Sequence, residues 1–349
     1  MILAIESSCD ESALALYKPK HGVLDEWVHS QVVKHSEYGG VVPDIAVSEH
    51  LNNFIPLLEL ASLKYQLSRS VNKIAVTCGP GLVGCLGIGI SVAKSLGLSW
   101  DIPVFGINHL RGHAFSPFMP LGEFESWSHL LPHLGLLVSG GNTLLFAINK
   151  DLEISILAKT VDDAAGECLD KGAKLLGIPY PGGAELEKRA RDGNYKAYDF
   201  PRAFPRKDEM KFSFSGLKTS LLYTIQKMNE SEVIMNFSDL SASYQWAAIQ
   251  QLVRKTGHAW DCGTFKSVGL SGGVANNQIL RQEVKRLSSE KGAILLCAEP
   301  THTGDNAAMI AFASHIDCQA AWPNINQGLT FNPSLKLEEF YQGRFHRSS

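Results

Sequence analysis

Ile2-Leu3-Ala4-Ile5-Glu6-Ser7-Ser8-Cys9-Asp10-Glu11-Ser12 opens the chain as an apolar run that breaks into acids and hydroxyls. A second apolar run, residues 13–17, follows at once. Strand, tight polar turn and strand make a hairpin with its polar side chains gathered at one end. The same form returns about 130 residues later: 134–138, then Ser139-Gly140-Gly141-Asn142-Thr143, then 144–148. A hairpin repeated at domain spacing predicts a duplicated α/β fold of two lobes with a cleft between them.

Segments 31–34, 74–77 and 104–107 read as further strands of the first half. Residues 43–63 read as a helix, with Ile45, Ala46, Leu51, Ile55, Leu58 and Leu60 at helical spacing. Strand 74–77 runs into Gly79-Pro80-Gly81-Leu82-Val83-Gly84 and an apolar helix, 86–98. That layout offers backbone N–H groups to an anion, or lets the helix pack close on the sheet. No Gly-Lys-Ser/Thr follows, so it is not a Walker A loop. In the second half a helix begins at Asp162-Asp163 and ends near Gly177, and a long helix covers 238–255. Strand 267–270 leads into Ser271-Gly272-Gly273-Val274-Ala275-Asn276-Asn277, and after strand 293–297 comes an apolar helix, 307–316. The expected lobes are 1–107, with a helix at 306–322 packing back on it, and 108–305, with a loose tail at 324–349.

The 349 residues are 45% hydrophobic and 19% charged, enough to bury two cores. A net charge of −3 excludes a nucleic-acid binder that works by bulk charge, so any such role needs a local patch or a partner. Between 188 and 211 there is such a patch: Lys188, Arg189, Arg191, Lys196, Arg202, Arg206, Lys207 and Lys211 interleaved with Tyr195, Tyr198, Phe200 and Phe204. This pattern suits an RNA-contacting surface, and equally an exposed loop with packing anchors. Seven cysteines without a CxxC pair suggest a reducing compartment. The start lacks a basic leader, and no apolar run is expected to reach the eighteen or so residues of a membrane span. The expectation is a cytoplasmic protein with no membrane attachment.

Asn108-His109-Leu110-Arg111-Gly112-His113 carries two histidines four residues apart. On a helix they share a face and can grip one metal ion, given a third ligand from elsewhere; two ordinary polar histidines are the alternative. The first turn, with Asp10 and Glu11, has the composition of a phosphate or metal-water site, or of a solvated loop.

The loops form an ordered set. It comprises Ile5 to Glu11, His35 with Tyr38-Gly39-Gly40-Val41-Val42-Pro43, Gly79-Pro80-Gly81-Leu82, His109 to His113, and Leu137-Val138-Ser139-Gly140-Gly141. It continues with Asp162 to Glu167, Tyr180-Pro181-Gly182-Gly183, Phe212 to Lys218, Gly272-Gly273-Val274 and Asp305-Asn306. With these ten landmarks the chain resembles the tRNA threonylcarbamoyladenosine-forming transferases, the TsaD/Gcp family. The resemblance implies the actin-like (ASKHA) two-lobed fold. It implies one divalent metal, Fe²⁺ favoured and Zn²⁺ possible, held by His109, His113 and Asp305. It implies transfer of a threonylcarbamoyl group from threonylcarbamoyl-AMP to N6 of the adenosine at position 37, in tRNAs that read codons beginning with A. Leu137, Val138, Ser139, Gly140 and Gly141 would then bind substrate, with Asp170, Gly183 and Asn277 on its ribose and base. The implied partners are tRNA, a degenerate TsaB-type paralogue that dimerises through the first lobe, and a small TsaE-type ATPase. Asp10 and Glu11 are the candidates to take or orient the proton that leaves the adenine amine.

Some positions depart from the family pattern. Arg111 stands where Glu is frequent, Asn108 and Asn142 where His is frequent, Glu187 where an Asp occurs, and Asp44 for the usual Glu. A metalloprotease of the zincin type needs Glu directly after its first histidine, and here Leu110 follows His109. An actin-like ATPase or kinase shares the fold, but a His-His-Asp set is not the usual Mg²⁺ site.

Overall fold

A hairpin begins each of two sheets in the computed structural model, which describes residues 1–317 and 328–339. Residues 1–129 and the described residues from Asp305 onward form unit 1, and residues 130–304 form unit 2.

In unit 1, β1 (Ile2–Glu6) pairs antiparallel with β2 (Glu11–Lys18), and β2 with β3 (Gly22–Ser30). On its other side β1 runs parallel to β4 (Lys73–Gly79), and β4 to β5 (Val104–Asn108), so the order is β3-β2-β1-β4-β5. Every residue of β1 is buried, as a strand covered on both faces requires. The helices are α1 (Val32–Ser36), α2 (Pro43–Lys64), α3 (Leu67–Ser70), α4 (Val83–Trp100), α5 (His109–Phe115) and α6 (Phe124–Trp127). The core joins Leu3, Ile5, Leu14 and Leu16 of the hairpin to Phe54 of α2 and Ile90 of α4.

Unit 2 repeats the plan. β6 (His133–Val138), β7 (Thr143–Ile148) and β8 (Ile154–Lys159) form the antiparallel half, and β9 (Ser267–Ser271) and β10 (Ile294–Cys297) extend it in parallel from β6. The order β8-β7-β6-β9-β10 matches unit 1 strand for strand. Its helices are α7 (Ala165–Leu175), α8 (Gly183–Ala190), α9 (Ser215–Ile225), α10 (Glu230–Met235), the 26-residue α11 (Phe237–Cys262) and α12 (Gln278–Glu290). The chain then returns to unit 1 as α13 (Ala307–Ile316), eight of whose ten residues are buried.

Several expectations are corrected. Residues 31–34, which Val32-Val33 make strand-like, enter helix α1. The buried His35 ring stitches this turn, with Nε2 3.1 Å from Gln31 Oε1 and Nδ1 accepting from the Val42 N–H at 3.2 Å. Tertiary contacts override β propensity here. The third strands, β3 and β8, are additions; both are only partly buried and lack a clean apolar run. The first unit extends to residue 129 instead of 107, because α5 closes on α13. A Cβ at Gly112 would lie 3.1 Å from both Met309 and Ile310 side chains, so glycine permits that approach. The helix expected over 306–322 ends at Ile316; residues 318–322 lie outside the described residues. Of the expected loose tail, 324–327 and 340–349 also lie outside them, but 328–339 is packed, with Leu329, Leu335 and Leu337 at most 3% exposed. Finally, α4 has 18 residues and is long and apolar enough to cross a membrane by length and composition. In this structure its Cys85, Leu86, Gly89, Ile90 and Ala93 face is buried within unit 1.

Candidate functional site

Asn108 ends β5 and caps α5: its Oδ1 accepts the Leu110 N–H at 3.0 Å, while its Nδ2 donates to the Lys336 carbonyl at 2.8 Å. The cap sets the first turn of α5, and the turn places His109 and His113 on one face with ring centroids 4.8 Å apart. Asp305 stands just before α13, whose own cap is Asn306 Oδ1 accepting from the Met309 N–H at 2.8 Å. Its Oδ1 lies 3.4 Å from His109 Nε2 and 3.1 Å from His113 Nε2, and one ligand atom from each residue falls within 4.8 Å of the others. Tetrahedral Zn²⁺ with bonds of about 2.0–2.1 Å separates its ligands by about 3.3 Å. Two neutral imidazoles and a carboxylate at these spacings fit a borderline divalent ion and leave a coordination position open.

Behind this set stands Glu6, at the end of β1 and fully buried. One of its oxygens lies 3.1 Å from His109 Nδ1; the Ser8 N–H and the Thr77 hydroxyl also donate to it. A carboxylate on Nδ1–H fixes the tautomer and turns the Nε2 lone pair toward Asp305, the usual arrangement behind a metal-ligating histidine. Burial alone would raise the Glu6 carboxyl, but the His109 charge and hydrogen bond hold it below the ordinary value. Burial would likewise lower His109, and the charges of Asp305 and Glu6 instead raise it well above the usual imidazole value. Asp305, despite burial, is held far below the carboxylate range by His109 and His113. These carboxylates favour a proton on His109, which a metal ion at Nε2 would have to displace. Glu6 was visible in the sequence only as an acid ending an apolar strand, and its role was missed.

The structure also places the first turn. Asp10 ends the turn and Glu11 begins β2, and His50 of α2 ties that turn down, its Nδ1 2.7 Å from Ser12 Oγ and its Nε2 3.0 Å from the Cys9 carbonyl oxygen. Burial, then the charges of Asp10 and Asp305, push the Glu11 carboxyl up to about 9. A carboxyl held neutral donates a hydrogen bond and does not take a proton at neutral pH. The 79–84 loop is a packing device: the Gly81 N–H donates to the Pro333 carbonyl at 3.2 Å and the Leu82 N–H to that of Ser8 at 2.8 Å.

In unit 2 three backbone ends meet. The Ser139–Asn142 turn is closed by Ser139 N–H to the Asn142 carbonyl at 2.8 Å, and the Gly166 N–H at the start of α7 donates to the Ser139 carbonyl at 3.2 Å. A Cβ at Gly166 would sit 2.5 Å from Ser139 O, and one at Gly272, where φ is +85°, 2.4 Å from Val138 O. Only glycine lets these chains approach so closely. By contrast, a Cβ at Gly140, Gly141 or Gly273 would meet nothing within 4 Å. These turns lie beyond the carboxyl ends of β6 and β9, where open α/β sheets bind ligands. Leu137 and Val138 are buried β6 residues that carry the first turn. Asp170 Oδ1 accepts the N–H groups of Gly182 and Gly183, at 2.9 and 2.8 Å, and so holds the start of α8. Both ends of the Asn277 amide work inside the unit, Oδ1 capping α12 at Leu280 N (3.0 Å) and Nδ2 donating to Gln245 at 2.9 Å. The Glu187 carboxylate accepts the Gln278 N–H at 2.7 Å. Asp162, expected to open α7, instead receives the Phe214 N–H at 2.8 Å and the Ser215 hydroxyl at 2.7 Å, and so anchors the start of α9.

The family model for tRNA N6-adenosine threonylcarbamoyltransferase, TsaD, matches residues 22–312. The chain belongs to this family. A TsaD relative named tRNA N6-adenosine threonylcarbamoyltransferase, from Thermosipho africanus (strain TCF52B), is 40% identical over 320 residues, covering 90% of this chain and 93% of its own. Another of the same name, from Thermosipho melanesiensis, is 41% identical over 316 residues, covering 90% and 94%. Among solved structures, the activator of the 2-hydroxyisocaproyl-CoA dehydratase from Clostridium difficile, with bound ADPNP, aligns with a TM-score of 0.51 at 14% identity, over 90% of this chain and 94% of that one. That likeness concerns fold alone, and with the duplicated sheets it makes this TsaD chain actin-like.

Proposed function

We infer that this chain transfers a threonylcarbamoyl group from threonylcarbamoyl-AMP to N6 of the adenosine at position 37 of tRNAs that read codons beginning with A. The TsaD match across 22–312 carries this reading, and the intact His109, His113 and Asp305 set supports it. The donor is a mixed anhydride whose AMP is already a good leaving group. Holding the substrates in line and neutralising phosphate charge are therefore the main tasks.

In this reading the 139–141 and 272–273 turns of unit 2 present backbone N–H groups to the adenylate. Asp170 orients Gly183 beneath it, and Asn277 holds the second turn by capping α12. His109, His113 and Asp305 of unit 1 hold one divalent ion, Fe²⁺ or Zn²⁺, which when bound supplies Lewis-acid charge for the phosphate. Glu6 keeps His109 in the ligating tautomer. Asp10 and Glu11, side by side at the first turn, are the groups proposed to accept or orient the adenine amine's proton. A TsaB-type paralogue and a TsaE-type ATPase complete the system in the cytoplasm, where an acidic chain needs help to hold tRNA.

Depletion of the protein followed by mass analysis of digested bulk tRNA tests the reading. Threonylcarbamoyladenosine should disappear; unchanged levels in a strain with no paralogue would sink the assignment. In vitro, His109→Ala and Asp305→Ala should lose bound metal and transfer together. Full activity in either variant would remove the metal from the mechanism.

A further inference from the structure

We propose that Tyr195 and Trp246 of unit 2 form a stacking platform for an unpaired base of an RNA strand, with Lys196 beside it for the adjoining phosphate. The inference rests on the reading of tRNA as substrate and adds where on this chain one of its bases is held.

Charge is segregated at this place. Residues 188–211 hold eight basic residues against four acidic ones, in a chain whose net charge is −3. Tyr195 is 42% exposed although its ring centroid is only 4.5 Å from that of Trp246, so it packs against one aromatic and still meets solvent. The Lys196 ammonium lies 5.5 Å from the Tyr195 centroid, where a cation and a π-face attract. Together with Tyr198, Arg202 and Phe200 these residues line a depression of about 340 Å³. That volume is within the range of sites for small planar ligands, about 300–1,000 Å³.

The platform is built before any ligand arrives. The Asn194 N–H donates to Asp239 at 2.7 Å, Ser243 Oγ donates to the Asn194 carbonyl at 3.1 Å, and the Tyr198 N–H donates to Ser243 Oγ at 3.2 Å. A Cβ on Gly193 would lie 2.0 Å from the Ser238 carbonyl oxygen, so the loop is pressed onto α11. Further along, Arg254 donates to the Ala203 carbonyl at 2.6 Å and the buried Lys255 to that of Arg206 at 2.8 Å. A loop fastened at this many points loses little entropy on binding.

Charge also decides which side of the aromatic pair is used. Tyr195 and Trp246 also wall a second depression of about 290 Å³, but its lining sets Glu187 and Glu283 against Arg191, whereas the first sets Lys196 and Arg202 against Asp199. The Lys196 side suits a nucleotide. An exposed ion pair such as Arg202–Asp199, 2.6 Å, is weak enough to open to a phosphate.

The test is the affinity of the full-length chain, assembled with the TsaB-type and TsaE-type partners proposed above, for an unmodified, labelled tRNA transcript, read by fluorescence anisotropy across a salt series. Tyr195→Ala should weaken binding about tenfold or more, as loss of one base–aromatic stack does, and Tyr195→Phe should bind like the parent. Lys196→Ala should lower the salt slope by about one. Equal losses in Tyr195→Ala and Tyr195→Phe, unchanged affinity in Tyr195→Ala, or no measurable binding by the parent would each overturn the proposal. So would unchanged tRNA affinity together with lost capture of a partner protein, which would make this face a protein interface. Threonylcarbamoyladenosine formation by the parent is scored in parallel. If it proceeds while Tyr195→Ala binds normally, the platform fails and the function stands; if it is absent, the function fails independently of the platform.

Discussion

At the scale of single residues, the two buried groups that matter most are ones the sequence makes inconspicuous. Glu6 ends an apolar strand, and only the fold shows its carboxylate behind His109 Nδ1. Removing such a partner costs about 10–100-fold in metal affinity. Glu6→Gln should therefore release metal to a chelator at a correspondingly lower concentration, with His109 and His113 intact; equal retention by the variant and the parent would deny Glu6 that role. His133 is the other. Ser267 Oγ donates to the Leu130 carbonyl at 2.8 Å and so accepts from His133 Nδ1–H at 2.7 Å, which fixes a neutral ring in full burial. Burial lowers its pKa from 6.5 to about 3. A lowered histidine value means that the unfolded chain binds more protons, so this stability is present above pH 6.5 and is lost as the pH falls toward 3. The loss is about 2 kcal/mol at pH 5. Urea midpoints at pH 7 and pH 5 should show this drop in the parent and much less of it in His133→Gln; identical pH slopes would exclude His133 as the cause.

At the scale of elements, α5 and α13 carry the candidate metal centre between them, since the histidines lie on the first and Asp305 leads into the second. Arg111, between the two histidines, is fully buried and pairs through its Nε with the buried Asp317 at the end of α13, while its guanidinium lies 5.9 Å from the Phe115 ring. Arg111, one of the departures noted above, is thus a fastener between these helices. Breaking a buried pair from one side strands a charge and costs about 3–5 kcal/mol, whereas replacing both partners costs much less. Arg111→Met and Asp317→Leu should each be strongly destabilising and the double variant markedly less so. Additive effects in chemical denaturation would show the two residues to be uncoupled. The helices and hairpins were legible as elements from apolar spacing, but the buried face was not always so: on α2, Leu51, Ile55 and Leu60 of the expected apolar set are exposed, and Phe54, Leu57 and Ala61 face the core instead. Asp162 was not legible: an acid before a helix suits that helix's dipole, and nothing local says that it binds α9 across some fifty residues of chain. Strand β3 was illegible for a related reason, because a partly buried strand alternates weakly and Val32-Val33 beyond it imitates one better.

At the scale of the molecule, the repeat of one hairpin made the duplication legible, and each unit proves to hold the same five-strand order around its own core. The unit boundary was not legible, because the α5–α13 contact that moves it joins segments almost 200 residues apart and depends on a glycine. Of the candidate metal set, His109 and His113 were legible from their spacing, whereas Asp305 came only through the family resemblance; the structure brings the three together. The candidate site was less legible where a side chain serves a turn, as at Asn277. The C-terminal stretch was misjudged because Pro, Asn and charged residues hide three leucines in it. In the fold, residues 328–339 lie over the glycine loop that follows β4: the Asn332 N–H donates to the Cys78 carbonyl at 2.8 Å, and Leu329 and Leu335 join the core of unit 1. Each fully buried leucine contributes about 1.5–3 kcal/mol, so Leu329, Leu335 and Leu337 together reach about 5 kcal/mol, comparable with the whole stability of an ordinary domain. A chain ended after residue 327 should therefore lose cooperative unfolding of unit 1 while unit 2, whose core contains none of these residues, keeps its own transition. Hydrogen exchange resolves the two: amides of β1, β4 and β5 should lose protection in the shortened chain, and those of β6 and β9 should keep it. Full protection in β4 would mean that the segment lies on unit 1 without stabilising it.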